Sequence, residues 1–208
     1  MKYVYEFIGT FFLVFVVGMT VMVPQSAGIM APVAIGLVLA TMIYAGAHVS
    51  GGHYNPAVSF AIYLRGKLST KDLGKYWAVQ LIAAIVAAII TLYYKRDAAQ
   101  PSLPFDWCRM FVAEFLFTFA LCFVVLNVAL AKGTKGNPFY GLAIGFTVLV
   151  GAYAVGPISG AAFNPAVALG ATIMTLISWS NLWIYFVANL LGGFCAAYVF
   201  KQVEGKAE

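Results

Sequence analysis

Ser50-Gly51-Gly52-His53-Tyr54-Asn55-Pro56-Ala57-Val58 returns 109 positions later as Ser159-Gly160-Ala161-Ala162-Phe163-Asn164-Pro165-Ala166-Val167. Asparagine is a preferred helix N-cap, and proline suits the first helical turn because its missing N–H would be unpaired there. Each Asn-Pro-Ala therefore reads as a helix start preceded by non-helical, Ser/Gly-rich backbone. Such a start carries roughly half an elementary positive charge, and the asparagine amide adds a neutral donor. This is chemistry for orienting and screening a small ligand, and it requires no catalytic residue. Glu6 and Glu114 are the carboxylates that directly adjoin apolar runs, and ionisable groups there are candidates for function. His48 and His53 flank the first motif as donors to a ligand or as packing residues; without an adjacent ligand cluster they predict no metal site. Cys108, Cys122 and Cys195 are odd in number and scattered, which argues for small hydrophobes over a disulfide framework.

The elements that must position these residues lie in an unusually apolar chain. Only 9% of residues are charged and the mean hydropathy is +0.92, against about 25% charged in soluble domains. Six stretches, 7–23, 32–47, 76–94, 115–131, 139–155 and 182–200, approach the ~20 apolar residues that cross a bilayer. The first begins near Met1 without a persuasive cleavage site, so it reads as an uncleaved signal anchor. Six crossings put both termini and the second and fourth connections on one side. That side holds Lys2, Arg65, Lys67, Lys71, Lys75, Lys132, Lys135, Lys201 and Lys206, against Lys95, Arg96 and Arg109 opposite. The bias predicts cytoplasmic termini in a multi-pass protein of the cell membrane. The net charge of +5 is thereby accounted for by orientation, and no nucleic-acid partner is expected.

The duplication extends beyond the motif. Ala34-Ile35-Gly36 matches Ala143-Ile144-Gly145, and Tyr76 before Gln80 matches Tyr185 before Asn189; Glu6-Phe7 and Thr10-Phe11 answer Glu114-Phe115 and Thr118-Phe119. Three crossings per half is an odd number, so halves 1–104 and 105–208 must enter from opposite faces, and inverted repeats place their sites near the midplane. The apolar segments 56–64 and 165–176 are too short to cross. Non-helical backbone at membrane depth is tolerated only inside protein or beside a water-filled cavity. The expectation is an all-α membrane protein: one channel domain of six transmembrane helices plus two re-entrant half-helices in an inverted repeat. Gly36 and Gly145 read as close-packing points between helices.

At these residues the chain resembles the aquaporin family, the major intrinsic proteins. The likeness rests on Glu6-Phe7-Ile8-Gly9-Thr10, on Gly46-Ala47-His48-Val49-Ser50-Gly51-Gly52-His53, on both Asn-Pro-Ala motifs and on Glu114. It implies a homotetramer in the lipid bilayer in which each subunit conducts water passively, without a cofactor. Asn55 and Asn164 would each cap a half-helix and donate to one passing water, with Pro56, Ala57, Pro165 and Ala166 completing the motifs. Carbonyls of 51–54 and 160–163 would supply acceptors, and the facing half-helix dipoles would repel cations. Glu6 and Glu114 would accept from re-entrant-loop amides; the competing proton relay needs more titratable groups than are present.

The resemblance also places a constriction at Ile35, Ala152, Ala161 and Val167, and here the chain departs from the usual pattern. Most members carry arginine at the Val167 position, and water-strict ones an aromatic and a histidine at the Ile35 and Ala152 positions. Losing the arginine removes a fixed cation and a bidentate donor. A wider, less polar ring admits ammonia, urea, hydrogen peroxide or glycerol beside water, unless Tyr153, Met30 or a loop residue fills the space. Some tonoplast intrinsic proteins likewise carry valine there and are often permissive. Ala168 and Tyr185-Phe186 match the water channels instead of the glycerol facilitators, while Thr172 fits neither. The reading is a passive channel for water and other small neutral solutes. Its alternatives are a facilitator chiefly for glycerol, urea or ammonia, a secondary transporter, which the lack of a coupling site opposes, and a structural junction protein.

Overall fold

The computed structural model describes residues 1–23, 26–96 and 106–204. Its helices run in the order α1 (Lys2–Val21), α2 (Ala31–Ser50), α3 (Pro56–Leu64), α4 (Thr70–Tyr94), α5 (Trp107–Leu130), α6 (Tyr140–Ser159), α7 (Pro165–Ile173) and α8 (Leu182–Glu204). Among the described residues there is no strand, and six helices are long and apolar enough to span a bilayer. The chain is a multi-pass membrane protein. The crossings are longer than their apolar runs because each helix continues into polar ends. α4, for example, begins where Ser69 Oγ accepts from the Asp72 amide at 3.1 Å, and α5 where Asp106 Oδ1 accepts from the Arg109 amide at 3.1 Å.

The half-helices behave differently at their two ends. α3 spans the predicted 56–64, but α7 stops at Ile173, short of the expected 176. Thr175 there takes a left-handed φ of +61°, and the Leu176 amide turns back to Ala171 O at 2.8 Å. Nine residues make each half-helix about 14 Å long, roughly half the hydrocarbon thickness. The expected boundary between halves, at 104/105, lies outside the described residues.

Packing is an exchange between the two sets of helices. α1 packs on α2 and α4, and α5 on α6 and α8, while α3 docks on α8 and α5, and α7 on α4 and α1. Each half-helix therefore lies most of all against a helix of the other half, and also against α4 or α8 of its own. Small residues permit it, as is usual where no hydrophobic effect drives helices together in lipid. Gly192 sits against the Phe115 carbonyl and Phe119 amide of α5, and Gly193 against the Ala57 carbonyl of α3; a methyl at either would lie 2.8 Å from backbone. At the crossing of α2 and α6, a methyl on Gly36 would lie 2.7 Å from the Gly145 carbonyl oxygen, and one on Gly145 would collide with the Gly36 carbonyl oxygen.

Because both obstacles at that crossing are backbone, neither can rotate away. Gly145→Val is expected to force α2 and α6 apart at a cost of about 3 kcal/mol. The measurement is thermal unfolding in detergent alongside monodisperse yield; a variant as stable as the parent would contradict this account of the crossing.

Candidate functional site

Each re-entrant loop is built from a backbone that ordinary side chains avoid. Gly51 and Gly160 end α2 and α6 in left-handed conformations, φ +90° and +82°. Positive φ recurs at Gly52 (+63°) and Tyr54 (+48°), and correspondingly at Ala161 (+54°) and Phe163 (+48°). For Tyr54, Ala161 and Phe163 this costs roughly 1 kcal/mol each. What holds them is a buried carboxyl group behind each loop. Glu6 accepts from Ser50 Oγ at 2.7 Å, the His53 amide at 2.9 Å, the Tyr54 amide at 2.7 Å and Gln80 Nε2 at 2.8 Å. Glu114 accepts from Ser159 Oγ at 2.7 Å, the Ala162 amide at 2.9 Å and the Phe163 amide at 2.7 Å. Both glutamates are fully buried.

Further groups lock the same loops, and the sequence had marked some of them only as repeat landmarks. Tyr76 donates its hydroxyl to the Ser50 carbonyl at 2.7 Å, and Tyr185 donates to the Ser159 carbonyl. The Tyr54 ring fills the space left by Gly9 and Gly46 and its hydroxyl reaches the Met42 carbonyl at 2.9 Å. Phe163 lies similarly against Gly151 and stacks on Phe117. The serine side chains were missed as loop supports. Their signal was their place at the start of both motifs.

The half-helix starts carry the geometry expected of them. Asn55 Oδ1 accepts from the Ala57 amide at 2.8 Å, and Asn164 Oδ1 from the Ala166 amide at 2.9 Å. The Nδ2 groups do something the sequence did not suggest. Asn55 Nδ2 donates to the Phe163 carbonyl, and Asn164 Nδ2 to the Tyr54 carbonyl, both at 2.9 Å. Each asparagine thus ties the opposite loop to its own half-helix, and its second N–H has no protein acceptor among the described residues. The expected carbonyl acceptors are reduced accordingly, since Tyr54 O and Phe163 O are already engaged. Among the described residues, the carbonyls of Gly51, Gly52, His53, Gly160, Ala161 and Ala162 accept no protein hydrogen bond. Backbone carbonyls without protein partners belong beside water or a ligand.

A cavity of about 450 Å³ runs along these groups. Its wall is paired position by position: Leu13 with Leu121, Val17 with Val125, Ile35 with Ile144, Leu39 with Val148, Asn55 with Asn164, and Val58 with Val167. Ala152 and Ala161 line it too, so the four expected constriction residues share one cavity. His53 lines it as well, with Nδ1 3.1 Å from Ser59 Oγ, whereas His48 is exposed on the outer face, edge-on to Tyr5. With histidine neutral, none of the described lining residues carries a charge. Of the candidates to fill the space left by arginine, Tyr153 lines the cavity, joined by Ile29; Met30 does not. Tyr185 is buried under its loop and Thr172 bonds the Ala168 carbonyl within α7, so neither reaches the lining.

Comparison with known proteins gives a consistent picture. The family described as Major intrinsic protein matches residues 1–200. Aquaporin NIP3-1 of Arabidopsis thaliana is 35% identical over 96% of this chain and 66% of its own length. Nodulin-26 of Glycine max is 34% identical over 98% of this chain and 78% of its own. Aquaporin TIP1-1 of Arabidopsis thaliana is 34% identical over 81% of this chain and 68% of its own. The aquaglyceroporin from Plasmodium falciparum superposes with a TM-score of 0.82 over 97% of this chain and 95% of its own, at 23% identity. That last likeness is one of fold.

Replacing Glu114 by glutamine exchanges an acceptor for an NH₂ group facing amide or hydroxyl donors. Glu114→Gln is expected to leave one loop donor unsatisfied and to destabilise the protein by about 1–3 kcal/mol. Thermal unfolding and osmotic water flux measure it together, and parental values for both would show the carboxyl to be dispensable.

Proposed function

The chain belongs to the major intrinsic protein family, and on that premise we propose that it is a passive channel for water and other small neutral solutes. The observation that carries this reading is the cavity with both helix-capping asparagines on its wall and, among the described residues, an uncharged lining. Two helix N-termini meet there, so a cation or proton faces two positive dipole ends without a compensating charge. A neutral molecule meets one free N–H from each asparagine and a row of unbonded carbonyls, which together replace the hydration it sheds. No group along this path needs to change covalent state or charge for a molecule to pass.

Ile35, Ala152, Ala161 and Val167 form the proposed constriction. None carries a polar side chain, and Val58 faces the cavity as the counterpart of Val167. Such a ring discriminates by width more than by hydrogen bonding, which supports passage of glycerol, urea or ammonia beside water. The Arabidopsis relatives carry the name aquaporin, which supports water as cargo. We place the protein in the cell membrane as a homotetramer with cytoplasmic termini, one channel domain per subunit with inverted halves 1–104 and 105–208. The excess of lysine and arginine on the terminal side supports that orientation.

Stopped-flow light scattering on proteoliposomes tests the reading, with an impermeant osmolyte reporting water and a glycerol or urea gradient reporting solute. The parent is expected to shrink fast in the first and re-swell fast in the second. Val167→Arg should restore a fixed cation to the ring and lower the glycerol-to-water permeability ratio by about tenfold, on the scale of one well-placed specificity contact. An unchanged ratio would remove Val167 from the constriction, and a parent without water flux would overturn the channel itself.

A further inference from the structure

Part of the cavity wall has no counterpart on the lining. Ile29, Tyr153 and Pro157 line it, whereas their counterparts at the same offset, Pro138, Tyr44 and His48, do not. The two tyrosines make the same contact nonetheless. Tyr153 donates its hydroxyl to the Ile29 carbonyl at 2.7 Å, and Tyr44 donates to the Pro138 carbonyl at 3.0 Å. Each ties its helix to the segment that leads into the other inner helix. Only at the Tyr153 end does that tie stand on the cavity wall.

Tyr153 is the largest side chain on the described lining. It directly follows Ala152, and it and His53 are the only aromatic side chains on the described lining. One turn onward, a methyl at Gly156 would meet nothing within 4 Å, so the neighbouring wall is bare. Pro157 lacks the N–H that would bond the Tyr153 carbonyl within α6, which leaves that carbonyl without its helical partner. Across the opening, Gly28 at φ +53° turns the chain so that the Ile29 carbonyl receives the hydroxyl.

We propose that Tyr153, held by its hydroxyl on the Ile29 carbonyl, is a specificity-determining residue of this pore. Its ring supplies the aromatic bulk that the Ile35, Ala152, Ala161 and Val167 set lacks. Solutes are then sorted by width at the Tyr153 end, beside the proposed constriction and not solely within it. The hydrogen bond matters because the ring is half-exposed; anchored at its tip, it cannot swing away from the opening as a solute arrives. The inference rests on the channel reading above and assigns its size cut-off to a residue outside the four-membered ring.

The test is the glycerol-to-water permeability ratio of proteoliposomes carrying the full chain, which does not depend on how much protein is incorporated. Tyr153→Ala should raise the ratio about threefold or more, because pore width sets passage of a neutral solute. Tyr153→Phe, which keeps the ring and loses the anchor, should raise it less. Tyr153→Trp should lower it with water flux retained, and Tyr44→Ala, which removes the matching tie away from the cavity, should leave it at the parental value. Opposite signs for alanine and tryptophan distinguish a sorting role from a merely structural one. Ratios that stay parental in both Tyr153→Ala and Tyr153→Trp, or that rise equally in Tyr44→Ala, would overturn the proposal. A parent that conducts neither water nor glycerol would instead sink the channel reading on which it stands.

Discussion

Everything in this molecule depends on two buried carboxyl groups holding two strained loops. Backbone amides and a carboxyl group are each costly to bury alone, and each is the other's best partner in a dry interior. Glu6 and Glu114 collect the amides of residues 53–54 and 162–163 on one side of each loop. That leaves carbonyls at Gly52, His53, Gly160, Ala161 and Ala162, on residues that line the cavity, without partners among the described residues. The same interaction thus stabilises the fold and exposes the acceptors. It also accounts for non-glycine residues at positive φ, because four bonds to Glu6 and three to Glu114 offset the local strain.

The second constraint is the interlock of the halves. α3 lies against α5 and α8, α7 against α1 and α4, and the asparagines reach across to each other's loop carbonyls. Neither half-helix can be withdrawn without exposing backbone to lipid, which has nothing to bond it. A channel wall assembled this way is stiff at its centre, where width and dipole orientation must be kept. Variation is left to the side chains at the ends. There the four residues of the proposed constriction are apolar, and an aromatic ring, Tyr153, stands on the wall beside them.

Much of the architecture was legible because lipid as a solvent leaves few solutions. Six apolar runs had to be helices, and a capping Asn-Pro after Ser-Gly, on a run too short to cross, had to be re-entrant. The end of α7 was not legible. Its apolar run continues past Ile173, but the chain turns at Thr175, where local hydrogen bonding overrides hydrophobic pattern. Nor were the roles of Ser50, Ser159, Tyr76 and Tyr185 apparent, since a repeated polar residue announces a partner without saying which. His48 and His53 looked alike in sequence, five residues apart. The end of α2 separates them: His48 lies on the helix, exposed and against Tyr5, and His53 in the loop that follows, on the cavity wall.

The sequence by itself therefore determined the elements: which segments cross, which stop halfway, and where each half-helix is capped. These follow from local propensity and from hydropathy, and both act over a few consecutive residues. Only the tertiary structure decided what those elements enclose. Which carbonyls remain free, which asparagine N–H is already spent on the opposite loop, and which tyrosine of a matched pair stands on the cavity wall depend on contacts between residues from 47 to 124 positions apart. Periodicity does not encode such contacts, because a donor and its acceptor share no local pattern until the two halves interlock.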